Sequence, residues 1–467
     1  MAEVKENRVV VTDIDGTLTR IKSDGEIVRE NEQLEKALKD KRQKLMTVEE
    51  AINNQLKAEE DMTVMLVEQP DRSVNIGVIG VGQCGSKIAE EFFNKGYNVI
   101  AINTAMQDLK TINIPERQKL FLDFALGGAA KDLATGRSAA EEFSDAILQM
   151  LKDNFESCNV LLLAISGGGG TGSGAAETMV GLMAQLGKPI SVLYVLPLSS
   201  EDALAKHNAI STLSKLAQLS KNDVINSLIV CDNSKIELMK SGMSVAEFWK
   251  SANKMIVEPL HLFNKLSANA SEYTSLDPMD FSRIFIGTGD CALYGMIKVE
   301  NYLEDSAIAE SMVTNLENGL LSSDFDLTQT RSAGVIITGT KDVLSKVPAA
   351  NLEYGFAMIS KVCNEGTRIF RGVYEVPGND DVIRIYSFFS GLGLPEARIL
   401  ELKAEAEKHM DVLKNKEDNR ATSMNIDMGK TQTISAADAL HKKITAKHSA
   451  MGKLTQNAKK VIDKRRR

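Results

Sequence analysis

The stretch Gly167-Gly168-Gly169-Gly170-Thr171-Gly172-Ser173-Gly174 decides the fold of this chain. It follows an apolar, strand-like run at 159–165 and precedes a helical pattern at 175–186. Glycines there permit positive φ and let backbone N–H groups approach a ligand without a Cβ in the way. The N-terminus of a helix behind such a loop is a ready anion site. The run therefore predicts a phosphate cradle, with a flexible Gly/Ser linker as the alternative.

The composition is that of an ordinary globular protein. The 467 residues are 43% hydrophobic and 25% charged, and the length predicts roughly two or three domains. No apolar run reaches the roughly 18–20 residues that span a bilayer, and the N-terminus does not resemble a signal peptide, so we expect a cytoplasmic protein. The five cysteines contain no CxxC pair, which favours reduced thiols over a zinc site, and we predict no protein metal cluster.

The charge is unevenly placed along the chain. The net charge is −8, but residues 439–467 carry seven Lys and three Arg against one Asp, a net charge of +9, which leaves −17 for the rest. A basic tail on an acidic body predicts an electrostatic contact region. A solvated tail without a specific partner is the alternative.

Strand and helix patterns alternate after residue 72, which predicts an α/β fold with a doubly wound parallel sheet. Ligands of such sheets bind at the carboxyl ends of the strands. A long central helix and a second, smaller α/β domain follow. The predicted strands lie at 74–79, 99–102, 160–165, 190–196, 283–286, 334–337, 367–374 and 382–389, and the predicted helices at 87–95, 139–154, 175–186, 245–266 and 395–416.

The first 72 residues read as an N-terminal extension of a strand plus helices. Within it, Val9-Val10-Val11-Thr12-Asp13-Ile14-Asp15-Gly16-Thr17-Leu18 resembles the first motif of haloacid-dehalogenase-like phosphatases. That fold needs well over a hundred further residues, and only about sixty remain before the next domain begins. We therefore interpret this motif as a coincidence or a relic.

A second glycine loop ends the first strand of the sheet. Gly80-Val81-Gly82-Gln83-Cys84-Gly85 alone would suggest a dinucleotide site. Such a site needs an acidic residue at the end of the second strand, and Asn103-Thr104 stands there instead. A third loop, Leu126-Gly127-Gly128-Ala129-Ala130, lies in sequence between this loop and the glycine run at 167–174. The two loops that follow strands are predicted to converge on one polyphosphate, and the third loop is predicted to close the side of the γ-phosphate. A dehydrogenase is the weaker alternative.

These motifs together resemble the tubulin and FtsZ family, over roughly residues 75 to 395. The run 168–174 is similar to the GGGTGSG signature of that family, and Gly82-Gln83-Cys84-Gly85 to the first nucleotide loop of tubulins. The resemblance implies that the protein binds GTP or GDP with Mg²⁺. The nucleotide ligands that it implies are Gly82, Gln83, Cys84, Gly85, Asn103, Thr104, Gly127, Gly128, Ala129, Gly168, Gly169, Gly170, Thr171, Gly172, Ser173, Gly174, Glu201, Asn233, Trp249 and Asn253.

The resemblance assigns Glu201 to the ribose loop and Asn233 to the base loop. Trp249 and Asn253 are one i, i+4 step apart, so both lie on one helix face. An aromatic plane stacks on a purine, and two amides supply donors and acceptors to a guanine edge. A core position is the alternative for Trp249.

Ser275-Leu276-Asp277-Pro278-Met279-Asp280-Phe281 resembles the acidic loop that completes the active site of the next subunit in this family. The resemblance implies that Asp277 and Asp280 are catalytic and position the attacking water, so hydrolysis is switched on by polymerisation. A pair of N-capping aspartates is the alternative. Ser275, where the family has Asn, and Pro278 depart from the pattern.

The chain most resembles the divergent plasmid and bacteriophage tubulins. The basic end is unlike the acidic tails of eukaryotic tubulins, and no FtsZ-type terminal peptide is visible. We expect a filament in the bacterial or phage-infected host cytoplasm that positions or segregates DNA. Its tail would contact an acidic neighbouring subunit, a DNA-bound adaptor or nucleic acid. An FtsZ-like division protein and a non-polymerising GTP-binding regulatory module are the alternatives.

The predicted organisation has six parts. They are an extension at 1–72, a GTP-binding domain at 73–244, the central helix and catalytic loop at 245–280, a second domain at 281–394, a C-terminal helix at 395–418, and a polar linker and basic tail at 419–467.

Overall fold

A computed structural model describes residues 9–12, 18–22, 72–124, 127–239, 244–287, 289–317, 324–364 and 366–408. Residues 9–12, 18–22, 238–239, 245–250 and 317 are described by their backbone alone. The strands are β1 Val9–Thr12, β2 Leu18–Lys22, β3 Ile76–Val81, β4 Asn98–Asn103, β5 Lys119–Phe121, β6 Val160–Ser166, β7 Ile190–Leu196, β8 Ser227–Asp232, β9 Cys291–Val299, β10 Ser332–Gly339, β11 Arg368–Glu375 and β12 Ile383–Leu392.

The helices surround these strands on both faces of the main sheet. They are α1 Gly82–Asn94, α2 Met106–Lys110, α3 Leu133–Glu142, α4 Ser144–Phe155, α5 Thr171–Ala184, α6 Ala203–Lys221, α7 Asn233–Met239, α8 Val245–Leu266, α9 Pro278–Ile286, α10 Ala307–Glu317, α11 Lys341–Lys346, α12 Ala349–Val362 and α13 at 396–408. Short 3₁₀ turns lie at Glu116–Gln118 and Leu327–Gln329.

Ten strands form one mostly parallel sheet in the order β11-β10-β12-β9-β8-β7-β6-β3-β4-β5, in which β12 is antiparallel to both neighbours. This confirms the predicted α/β class and the doubly wound parallel sheet. The first six strands of the sheet in sequence lie in the order β5-β4-β3-β6-β7-β8, so the strand order reverses between β3 and β6. Ligands of open α/β sheets bind at such a switch point, beyond the carboxyl ends of the strands. The two glycine loops follow these two strands.

Strands β6 and β7, in the middle of the sheet, are continuous apolar runs because helices cover them on both faces. In β6 every residue from Val160 to Ile165 is buried, and β7 is buried throughout. Small residues let α3 and α5 approach closely, since a Cβ on Gly136 or Gly174 would overlap the backbone of the other helix. The rigid layer thus formed fixes the position of the loop before α5.

The central helix α8 runs from the carboxyl side of the sheet to its amino side. Its 22 residues span about 33 Å. Near its end, the buried Asn264 accepts a hydrogen bond from Val74 N at 2.7 Å and donates one to Val74 O at 2.8 Å. Val74 precedes β3, so this end of α8 lies at the amino edge of the sheet.

The strand predicted at Arg283–Ile286 is wrong, because these residues form the end of helix α9. Asp277 caps the helix and Pro278 occupies its first turn, where a missing N–H costs nothing. Phe281, Ile284 and Phe285 then share one helical face and are buried. The strand that follows is β9, which the sequence reading missed.

Two further boundaries differ from expectation. The helix predicted at 139–154 is two helices, α3 and α4, separated at Phe143. Helix α1 begins at Gly82, five residues before the predicted start, because the glycine loop itself forms its first turn. The strands β1 and β2 form an antiparallel pair, whereas Asp13 and Asp15 lie outside the described residues.

The C-terminal helix is described over 396–408, and the predicted linker and basic tail lie outside the described residues. Among the helices that the structure does describe, none is both long and apolar enough to cross a membrane.

Candidate nucleotide-binding site

Two helix N-termini meet at the switch point of the sheet. Gly82, at the start of α1, has φ of +75°, and a Cβ built there would lie 3.1 Å from the backbone N of Gly172, in the first turn of α5. Neither helix start is capped by a side chain, whereas Asp132 caps α3 and Asp202 caps α6. The first N–H groups of α1 and α5 are therefore available to a ligand, and both helix dipoles favour an anion between them.

Two positions of the loop that leads into α5 fit their surroundings only as glycine. A Cβ on Gly170 would lie 2.8 Å from the Cβ of Ala129, and one on Gly172 would lie 2.8 Å from Val81 O. At Gly169, by contrast, the nearest atom would be Ser166 Oγ at 3.8 Å, on the side that opens to the cavity. The backbone of this loop is thus pressed against two neighbouring loops and leaves its free side to a ligand.

The third loop closes the other side with an unusual backbone. Gly127, Gly128, Ala130 and Lys131 all have positive φ, which is uncommon for the last two. Lys131 Nζ pairs with Asp202 Oδ2 at 2.8 Å, a contact that holds this loop beside the start of α6. Successive residues with positive φ are typical of the turns in which backbone N–H groups bind anions, and Gly127 to Lys131 all line the cavity.

The loops enclose a cavity of about 570 Å³, a size typical of small-molecule sites. Fifteen of the twenty residues predicted to bind nucleotide line it, and the predicted loops do converge. These fifteen are Gly82, Gln83, Cys84, Asn103, Gly127, Gly128, Ala129, Gly168, Gly169, Gly170, Thr171, Gly172, Glu201, Asn233 and Asn253.

Four predicted ligands lie behind the cavity wall. A Cβ on Gly85 would overlap Ala164 O of β6, and Gly174 is the close-packed glycine that faces α3. Thr104 is buried and shares a hydrogen bond of 2.6 Å with Thr171 Oγ1. Ser173 Oγ donates to the carbonyls of residues 166 and 167, both at 2.7 Å, and so fixes the loop from behind. Their positions indicate a supporting role.

The cavity also contains polar side chains that sequence reasoning missed. Lys87 lies one helical turn after Gln83, so the spacing i, i+4 would have placed it on the same face. Asp108 lines the cavity and accepts a hydrogen bond from Asn103 Nδ2 at 3.0 Å. Ser166 is the last residue of β6, directly before the glycine run.

The cavity lining includes the two amides and the carboxylate that are predicted to bind a nucleoside. Asn233 is nearly buried at the start of α7, and Asn253 lies on α8. The Oε1 of Glu201 accepts a hydrogen bond from Leu198 N at 3.2 Å, which orients its carboxylate in the cavity wall. Trp249 lies on α8, and its side chain is outside the described residues.

Cys84 is the thiol in this wall. Burial, together with the charge of Glu201, raises the pKa of Cys84 to about 12. The group is therefore a neutral thiol at physiological pH and not a nucleophile.

The acidic pair lies elsewhere. Asp277 Oδ1 accepts a hydrogen bond from Asp280 N at 2.8 Å at the start of α9, and neither residue lines the cavity. The preceding Leu276 is held by Tyr374, whose hydroxyl accepts from Leu276 N at 2.8 Å and donates to Leu276 O at 2.9 Å. Burial and the charge of Asp277 raise the pKa of Asp280.

No group of three or more His, Cys, Asp or Glu side chains suited to a metal occurs within the described ranges. A divalent cation at this site would therefore rely on the phosphates and water for most of its ligands, which is the usual manner of Mg²⁺.

Two family models match the chain. The GTPase domain of the tubulin/FtsZ family matches residues 75–240, and the C-terminal domain of TubZ-like proteins matches residues 263–403. The tubulin-like protein CetZ of Pyrococcus horikoshii is 26% identical over 323 residues, which cover 68% of this chain and 85% of CetZ. The tubulin-like protein TubZ of Bacillus cereus is 23% identical over 360 residues, 70% of this chain and 81% of TubZ.

A solved structure has the same fold. The crystal structure of a GTPγS-form protofilament of Bacillus thuringiensis serovar israelensis TubZ superposes with a TM-score of 0.67 at 20% identity. The superposition covers 76% of this chain and 96% of that TubZ chain.

Proposed function

Because the chain belongs to the tubulin/FtsZ family of filament-forming GTPases, we propose that its subunits stack head to tail and hydrolyse GTP where they meet. The observation that supports this proposal is that the cavity and the loop of Asp277 and Asp280 are separated along α8. Asn253 lines the nucleotide cavity, and Asn264, about 16 Å further along the helix, lies beside Val74 at the opposite edge of the sheet. Asp277 follows beyond that end. Stacking subunits in one direction brings this loop against the cavity of the neighbour.

The cavity suits a nucleoside triphosphate from end to end. The uncapped starts of α1 and α5 would receive the phosphates, and Glu201 the ribose hydroxyls. Asn233 and Asn253 would bind the guanine edge, with Trp249 stacked on the ring. The carboxylates of Asp277 and Asp280 from the neighbouring subunit would then position the attacking water.

Mg²⁺ would accompany the phosphates and neutralise part of their charge. Asp108 and Thr171 both line the cavity and carry side-chain oxygens, so they would interact with the water shell of this ion. The protein contributes position and charge to this reaction, since phosphoryl transfer needs little covalent chemistry from the enzyme.

We propose that the filament positions or segregates plasmid or phage DNA in a bacterial cytoplasm. The match of residues 263–403 to the TubZ-like C-terminal domain supports this role over that of an FtsZ-like division protein. The basic segment 439–467 would contact an acidic neighbour or a DNA-bound adaptor. Salt would weaken such a contact, because exposed charges are screened within about 8–10 Å at physiological ionic strength.

The decisive experiment mixes two defective variants. Gly169→Asp places a carboxylate in the cavity, where it clashes with no protein atom but would repel a phosphate group. Asp280→Asn removes a carboxylate of the distant loop. Each variant alone should hydrolyse GTP very slowly. If the active site is shared between subunits, the mixture recovers part of the wild-type rate of phosphate release. A mixture as inactive as its components would contradict a shared site.

Assembly itself is tested by sedimentation and by electron microscopy with GTP and with GDP. We expect pelletable filaments with GTP, and a hydrolysis rate per subunit that rises above a threshold protein concentration. A rate proportional to protein concentration without any polymer would indicate the regulatory GTP-binding module instead. Tight NADH binding without GTP binding would indicate a dehydrogenase.

A further inference from the structure

The C-terminal helix α13 buries an arginine against the predicted base loop. The Arg398 side chain is 2% exposed, and its Nε donates to Asp232 Oδ2 at 2.7 Å. Its Nη2 donates to Ser234 Oγ at 2.9 Å, and its Nη1 donates to Glu401 Oε2 at 2.8 Å. The guanidinium therefore holds both residues that flank Asn233.

The same helix reaches the predicted ribose loop through a buried lysine. Lys206 Nζ lies 3.0 Å from Glu405 Oε2 of α13, and it donates to Ser199 O at 2.7 Å. The two loops are also joined directly, since Ser199 Oγ and Ser234 Oγ lie 3.1 Å apart. Helix α13 thus fixes the base loop and the ribose loop as one unit.

We propose that Arg398 is a positioning residue that sets the affinity and the base selectivity of the nucleotide cavity by fixing Asn233. The inference rests on the proposed GTP-binding function and adds a residue outside every nucleotide loop. Asn233 lies between the two residues that this planar group holds, so the backbone that carries its amide is fixed on both sides and places the amide toward the predicted guanine edge. Helix α13 is therefore part of base recognition although it does not line the cavity.

Docking the helix does not by itself require this ion pair. A buried ion pair is weak evidence for stability, because an apolar pair of similar volume packs as well or better. Leu402, fully buried on the same helix, already supplies apolar anchoring. Burial raises the pKa of Asp232, and the charge of Arg398 is the main influence that opposes this rise. A charged, forked donor here is better explained by the need to orient two loop residues at once.

The test compares Arg398→Lys with Leu402→Ala. Lysine keeps the charge but cannot reach Asp232 and Ser234 with a fixed fork. We expect Arg398→Lys to raise the Kd for GTP and GDP about tenfold. It should also lower the ratio of the Kd for ATP to the Kd for GTP, which measures discrimination between the two bases. Leu402→Ala loosens the same helix without touching the fork, so it should lower the melting temperature and leave the discrimination unchanged. The inference is overturned if Arg398→Lys leaves the ratio of the Kd for ATP to the Kd for GTP unchanged. It is also overturned if Leu402→Ala lowers this ratio as much as Arg398→Lys does.

Amide hydrogen exchange in nucleotide-free protein separates this inference from the proposed function. Arg398→Lys should speed exchange at residues 232–234 and 198–201 and leave the core strand β6 unchanged. Wild-type exchange rates in both loops would overturn the inference. A wild-type protein that binds no guanine nucleotide would overturn the proposed function, whatever the exchange rates are.

Discussion

Asp277 and Asp280 cap the same helix start reciprocally. Asp277 Oδ1 accepts the Asp280 N–H at 2.8 Å, and Asp280 Oδ2 accepts the Asp277 N–H at 3.4 Å, the longer and weaker of the two bonds. The arrangement is a capping box. In the isolated subunit the two aspartates therefore cap a helix, as the alternative to a catalytic role predicted. The two roles are compatible, because a cap leaves each carboxylate with further lone pairs.

Asp277→Asn separates capping from catalysis. Asparagine caps helices about as well as aspartate, so the melting temperature should stay close to that of the wild type. Loss of the charge should slow GTP hydrolysis by roughly 10²–10⁴-fold if this carboxylate positions or polarises the water. Phosphate release, measured on assembled protein, checks the rate. A nearly normal rate together with normal assembly would limit Asp277 to a structural role.

Two glycines of helix α5, Gly174 and Gly181, should respond in opposite directions to substitution by alanine. Gly174→Ala forces a methyl group onto Leu133 O, so it should destabilise the fold by a few kcal/mol, as overpacking does. Gly181→Ala, further along the same helix, meets no atom within 4 Å and should stabilise the protein by about 0.5–1 kcal/mol. Urea denaturation of both variants measures the difference. Equal stabilities would contradict the packing role of Gly174.

The convergence of the glycine loops could be predicted from the sequence because the loops follow strands of a parallel sheet. The order of such strands brings their carboxyl ends together, which is why distant residues such as Gly82, Gly128 and Gly170 converge as expected. The spacing of the glycines did not distinguish those that line the cavity from those that pack against backbone. Gly85 and Gly174 have the same sequence pattern as the cavity glycines, and only helix packing shows that they face backbone instead.

Polar contacts between residues far apart in the chain could not be predicted from local sequence patterns. Arg398 belongs to the predicted C-terminal helix, and its guanidinium is buried beside Asp232, 166 positions earlier in the chain. The strand predicted at 283–286 failed for a related reason, since a short apolar run does not distinguish a strand from a buried helix. The capping pair upstream decides in favour of helix there.

Asn264 should be essential for the docking of α8. Its side chain pairs with both the N–H and the C=O of Val74 in a fully buried position. Asn264→Leu keeps a similar side-chain volume but leaves the N–H and the C=O of Val74 buried without this partner. The substitution should lower the free energy of unfolding by about 2–5 kcal/mol. Chemical denaturation measures this loss. The exposed Asn269→Leu, near the end of the same helix, is the control, and a similar effect of both substitutions would disprove the assigned role.

His261 should make the protein sensitive to mild acid. It is buried on α8 with Nδ1 3.3 Å from the Tyr97 hydroxyl. Burial, aided by the charge of Lys95, lowers the pKa of His261 to about 4, against about 6.5 for an unfolded chain. Between these values the unfolded state binds the extra proton. Stability is therefore full above pH 6.5, falls as the pH drops towards 4, and levels off below it, a loss of up to about 3 kcal/mol.

His261→Gln should remove this contribution to the acid sensitivity. Glutamine cannot be protonated, so the free energy of unfolding should fall less steeply between pH 6.5 and pH 4.5 than in the wild type. The exposed His207→Gln is the matched control and should reproduce the wild-type slope. Urea denaturation at four or five pH values measures all three proteins. Parallel curves for the wild type and His261→Gln would show that carboxylates alone set the acid response, because the histidine would then bind its proton equally in both states.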